Sequence, residues 1–176
     1  METKIAEKRI FIGHGGNPIW REFKDFIQDN LKLTPDEFNC EAVAGLTNKE
    51  RLQQMLNNAC FAFLIMTAEN EYADKTKHAR ENVIHEIGLF QGCLSFEKAI
   101  VLLEEGCKEF SNLIGIQQIR FPKGEIRATF EQVRGVLKRE GILKTLQSGK
   151  NRTVDSLRHS ALSRRPMGHS LRPRPR

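Results

Sequence analysis

The chain has 176 residues, 39% of them apolar and 28% charged, a one-domain length that can bury a sizeable core. Its apolar runs, such as CFAFLIM at 60–66, are far shorter than the roughly 20 residues that cross a bilayer, and METKIAEKRIFIG at the start has no apolar h-region or cleavage site, so the expected compartment is the cytoplasm, with no membrane partner. The net charge of +6 sits in residues 145–176, where eight Lys and Arg face one acid; residues 1–144 come to −1, which argues against a nucleic-acid-binding domain.

In chain order, RIFIG at 9–13 reads as a buried parallel strand ending in the glycine-rich loop GHGGNP. A helical pattern follows over 19–31, with Phe23, Phe26, Ile27 and Leu31 at spacings of three and four, and Thr34-Pro35 reads as its breaker. FNCEAVA at 38–44 is a weak second strand. Thr47 is placed to cap a helix of about ten residues, with Glu50 completing a capping box. CFAFLIM is the clearest strand, and its continuous apolar character predicts burial on both faces. A polar loop, TAENEYADKTK, leads to a helix over 78–94. KAIVLL at 98–103 and IQQIRF at 116–121 complete five strands, and 125–140 is a final amphipathic helix. Alternation of strand and helix predicts an open, doubly wound parallel five-stranded α/β sheet with helices on both faces. Residues 1–144 are the expected domain. The tail at 145–176 lacks periodicity and is rich in Arg, Pro and Ser, so it is expected to be disordered or vector-derived.

In such sheets ligands bind beyond the carboxyl ends of the strands. That selects three loops: the first, with Gly13, His14, Gly15 and Gly16; the second, Thr67-Ala68-Glu69-Asn70; and the third, EEGCKEF after the strand at 98–103. Glycines admit close backbone approach to a phosphate, though a tight strand-to-helix turn accounts for them equally well. There is no P-loop lysine, no GxSxG elbow and no cysteine or histidine pair at zinc spacing, so no metal is expected. On the helix at 78–94, a rotation of about 100° per residue puts Val83, Ile87, Phe90 and Leu94 on the sheet-facing stripe. His85 falls opposite, toward solvent. Asn82 and Glu86 lie together at the stripe's edge, with Gly88 leaving room nearby. A carboxylate there serves either a substrate or a boundary ion pair. Arg80 can meet a phosphate with its planar fork, or pair with Glu81 or Asp74. Trp20 can stack on a base, or pack under the glycine loop.

The blocks RIFIGHG, GLTNKERL, FAFLIMTAEN, ARENVIHEIGLFQG and SNLIGIQQIRF resemble the bacterial TIR-like (Toll/interleukin-1 receptor-like) predicted nucleotide-binding domains, found among other contexts fused to STING in anti-phage systems. The resemblance covers about residues 8–140 and is carried most specifically by Arg80-x-Asn82-Val83-x-x-Glu86-x-Gly88. Ala68-Glu69-Asn70 stands where the family prefers Pro-Asp-Asp, and Asn112 replaces an aspartate. The resemblance implies a flavodoxin-like/TIR-like fold and NAD glycohydrolase chemistry, yielding nicotinamide and ADP-ribose or a cyclised product. Glu86 would be the catalytic residue, and Gly13, His14, Gly15, Trp20, Thr67, Glu69, Arg80 and Asn82 the substrate-binding set. NAD enters as substrate and no cofactor is expected. The resemblance also implies activation by assembly into a homo-oligomer or filament, with a separate sensor protein or cyclic-nucleotide signal. Two other readings stay open: a non-catalytic TIR-type scaffold, and a nucleoside deoxyribosyltransferase-like enzyme that ignores NAD.

Overall fold

The computed structural model of the chain describes residues 9–38, 47–116 and 118–143; the basic segment at 145–176 lies outside them. Strand β1 (Arg9–His14) leads into α1 (Trp20–Asp25), continued by a π-helical turn (Phe26–Asn30). Then follow β2 (Thr34–Asp36), α2 (Asn48–Asn58), β3 (Ala59–Met66), the short strands β4 (Asn70–Glu71) and β5 (Lys77–His78), α3 (Glu81–Leu94), β6 (Ala99–Glu104), β7 (Ile119–Phe121) and α4 (Phe130–Arg139). The main sheet has five strands in the order β2-β1-β3-β6-β7, each pair parallel. This is the flavodoxin-like order of a doubly wound sheet.

Side-chain alternation along the strands divides the core between the two faces. Ile10, Ile12, Phe61, Phe63, Ile65 and Leu102 pack with Phe23 and Ile27 of the α1 segment and Val133 and Leu137 of α4. Phe11, Ala62, Leu64, Val101 and Leu103 face the other way, against Met55 of α2 and Val83, Ile87 and Phe90 of α3. The α3 stripe is therefore the expected one: Val83, Ile87 and Phe90 are buried, and the Phe90 ring stacks on Phe11 with centroids 3.9 Å apart. At α2, Thr47 and Glu50 form the expected capping box, Glu50 N donating to Thr47 Oγ1 and Thr47 N to Glu50 Oε2.

Two elements differ from expectation. The second strand is Thr34-Pro35-Asp36, the stretch read as a breaker; Phe38 is in a turn and residues 39–44 lie outside the described residues. Because β2 is at the sheet edge, it pairs on one side only, and a proline lacking an N–H is tolerated there. The loop after β3 carries a small antiparallel ladder, Asn70 opposite His78 and Glu71 opposite Lys77, so α3 begins at Glu81 rather than near His78. Among the described residues no helix is long and apolar enough to cross a membrane.

Glu104 ties two loops to the carboxyl edge. Its side chain is buried, and it accepts from Ala68 N at 2.9 Å and Gly124 N at 3.0 Å. Glu104→Gln replaces one acceptor oxygen by a donor facing an N–H. It is expected to cost about 1–3 kcal/mol in urea unfolding. An unchanged midpoint and slope would show that these bonds contribute nothing net.

Candidate functional site

Helices α1 and α3 follow the adjacent strands β1 and β3 yet lie on opposite faces of the sheet. Their connections diverge there, opening a crevice at the carboxyl edge, where ligands bind in sheets of this kind. A cleft of about 480 Å³ occupies the position, lined by Gly13, His14, Gly15, Arg80, Asn82 and Glu86, with Phe11 and Leu52 among its apolar residues. The volume lies in the range of small-molecule sites.

Glu86 is the group least at ease. It is half-buried, its Oε2 is shielded from solvent, and that atom has no hydrogen-bond partner among the described residues. Burial without compensation disfavours the charged form and pushes the carboxyl up to about 7. The space for it comes from Gly13: a methyl group added there would come 2.6 Å from Glu86 Oε2. Gly88, expected to leave room, does not do so, because it is exposed and a methyl group there would meet nothing within 4 Å. The carboxylate is turned toward the end of β1 and away from its own helix's glycine.

His14 is positioned by three contacts. Its Nδ1 donates to Gly15 O at 2.8 Å, its Nε2 lies 3.7 Å from Glu37 Oε2, and its ring stacks on Trp20 with centroids 4.0 Å apart and 10° between planes. Trp20 is thus part of the support beneath the loop, and is not among the cleft-lining residues.

Thr67 and Glu69 are also absent from the cleft wall. Thr67 is buried and donates to Glu69 Oε1 at 2.6 Å, while Glu69 Oε2 accepts from Gly16 N at 2.7 Å. Arg80 pairs with this same Glu69, Nε to Oε2 at 3.9 Å, rather than with Glu81 or Asp74. Arg80 and Asn82 are both exposed at the cleft rim, as is His85, which faces solvent as expected yet borders the opening.

Sequence reasoning passed over Asn48 and Lys49, which also line the cleft. Their signal was the Thr47 cap: a helix that follows β2 in a parallel sheet starts at the carboxyl edge. It also passed over Arg51, buried against Asp36 at 3.1 Å and so joining α2 to the edge strand. A buried arginine of this kind has no periodic signature.

The family model described as "CAP12/Pycsar effector protein, TIR domain" matches residues 9–123. CD-NTase-associated protein 12 of Lachnospiraceae bacterium (strain RUG226) is 28% identical over 124 residues, which are 64% of this chain and 37% of that protein. The protein of the same name from Sphingobacterium faecium is 29% identical over 126 residues, 66% of this chain and 37% of its own length. The chain therefore spans little more than a third of the curated relatives it matches. Among solved structures, the TIR domains of the activated Roq1 resistosome recognising the pathogen effector XopQ match with a TM-score of 0.42 and 14% identity, covering 77% of this chain and 76% of theirs.

Proposed function

The chain belongs to the CAP12/Pycsar effector TIR domain family, and from that premise we propose that it cleaves NAD at the nicotinamide–ribose bond, with Glu86 as the catalytic residue. One observation carries this reading. A carboxylate with one oxygen shielded and without a partner among the described residues stands at the crevice where a doubly wound sheet binds its ligand.

The chemistry suits such a group. Nicotinamide leaves a positively charged pyridinium as a neutral molecule, so its departure needs no general acid. Positive charge develops instead on the ribose as an oxocarbenium. An ionised carboxylate beside that ribose stabilises the charge and holds the hydroxyls, and it acts most strongly where water is excluded. Asn82, one helical turn before Glu86 on α3, is placed to hold the ribose by hydrogen bonds. The diphosphate faces Arg80 and the amides of the glycine loop. NAD is the substrate, and the reaction as written requires no cofactor.

In the cell this activity would serve anti-phage defence as an effector, switched on when copies assemble into an oligomer or filament in response to a separate sensor or a cyclic-nucleotide signal. The word effector in the family description and the CD-NTase association in the names of the two curated relatives support the effector role and the nucleotide signal. The test is NAD consumption followed by mass spectrometry, at high protein concentration with a crowding agent and again with copies fused to an oligomerising domain. The expected result is loss of NAD with release of nicotinamide, the product mass distinguishing linear from cyclised ADP-ribose. Intact NAD in the forced oligomer would overturn the assignment.

A further inference from the structure

The groups assigned to the diphosphate already hold an anion, and it belongs to the protein. Glu69 Oε2 accepts the Gly16 amide at 2.7 Å, Glu69 Oε1 accepts the Thr67 hydroxyl at 2.6 Å, and the Arg80 guanidinium lies 3.9 Å from Oε2. The carboxylate presses so closely on the loop that a methyl group at Gly15 would clash with Oε1, and one at Gly16 would come 3.1 Å from Oε2. The glycines thus admit a carboxylate where their close-approach geometry would admit a phosphate. Glu69 is also fastened by its backbone, its N–H donating to His78 O at 3.1 Å at the base of the β4–β5 ladder.

We propose that Glu69 is an internal competitor that occupies the diphosphate position of the glycine loop and must swing away before substrate binds. The inference rests on the diphosphate placement proposed above and deepens it. The latch is built to be displaceable. Its ion pair with Arg80 is long and more than half of the Arg80 side chain is exposed, so solvent weakens it. A diphosphate offers Gly16 N and Arg80 more negative charge than one carboxylate does. What holds Glu69 in place is chiefly the pair of short hydrogen bonds, and each molecule in the latched state is lost to binding. Apparent affinity is reduced by the fraction unlatched.

The test measures binding of inorganic pyrophosphate to the full chain by isothermal titration calorimetry, which needs no turnover. Glu69→Ala empties the anion position and is expected to tighten pyrophosphate binding by about tenfold or more. Glu69→Gln, which refills the space without the charge, keeps the test available if the alanine variant does not fold, and a smaller tightening is expected there. Binding that is unchanged or weaker in a folded Glu69 variant would overturn the proposal and make Glu69 an aid to ligand binding. Tighter pyrophosphate binding in the variant, together with NAD left intact by the wild-type chain when it is forced to assemble, would uphold the internal competitor and remove the NAD reading. The two failures are thus separable.

Discussion

Replacing Glu86 by glutamine is expected to lower NAD consumption by roughly a hundredfold to a thousandfold, the usual effect of removing one preorganised charge-stabilising group. The amide keeps the size and the reach of the side chain but not its charge, and the charge is what an oxocarbenium requires. The same carboxyl sets the pH dependence. Burial holds it near 7, so the wild-type rate should rise as pH passes through about 7 and level off above, where the carboxylate is ionised. Residual activity of the glutamine variant should show no such rise. Full activity in a folded Glu86→Gln variant would remove Glu86 from the mechanism.

Stability should move the other way. The folded form keeps the Glu86 proton up to about 7, while an exposed glutamate loses it near 4.5. Between those values the folded state binds the proton that the unfolded chain has already lost, so stability falls as pH rises through this window and stays lowered above it. Glu86→Gln lacks that loss. Relative to wild type, it should gain up to about 3 kcal/mol on going from acid of about pH 4 to about pH 8, read from urea unfolding at the two values. A group that helps activity while burdening the fold is what a half-buried catalytic carboxylate should be. Equal pH dependence in the two proteins would mean that Glu86 is solvated in the folded state.

Gly13→Ala is the second substitution expected to have a large effect. The added methyl would meet Glu86 Oε2 and Leu64 Cδ1 each at 2.6 Å, and Phe11 Cε1 at 3.1 Å. Leu64 and Phe11 are core residues with almost no exposure, so the closed side has little freedom and overpacking should cost about 1–3 kcal/mol. The carboxylate has an open cleft beside it and will be displaced. A misplaced group of this kind loses on the order of a hundredfold in rate. The variant should therefore lose stability and activity together, whereas Glu86→Gln loses activity alone. Gly88→Ala provides the comparison. It meets nothing within 4 Å and lies inside α3, so it should stabilise by about 0.5–1 kcal/mol through helix propensity. If Gly13→Ala behaved like Gly88→Ala, the close fit of Glu86 against β1 would be wrong.

Much of this protein is written in short-range patterns. The uninterrupted apolar run at 60–66 implies a strand covered on both faces, and β3 is the central strand of the sheet. The spacing of Val83, Ile87 and Phe90 identifies the buried face of α3 and leaves Glu86 at its margin. The Thr47–Glu50 pair marks the start of α2. These features obey rules that span one or two turns, so neighbouring residues suffice to state them. The carboxyl-edge rule then points to the glycine loop, whose Gly13, His14 and Gly15 line the cleft.

The remaining features depend on which distant segments meet. A proline strand is permitted at 34–36 because that segment pairs on one side only, a property of strand order. The glycine beside Glu86 is Gly13 rather than Gly88, because α3 crosses the end of β1 and turns its carboxylate outward from its own helix. Trp20 lies under His14 instead of in the cleft, and Glu69 turns back onto Gly16 and takes Arg80 with it. None of these pairings has a period or a spacing along the chain. They arise when parallel crossovers bring the ends of β1 and β3 together, and burial then decides which polar groups find partners and leaves Glu86 Oε2 without one among the described residues.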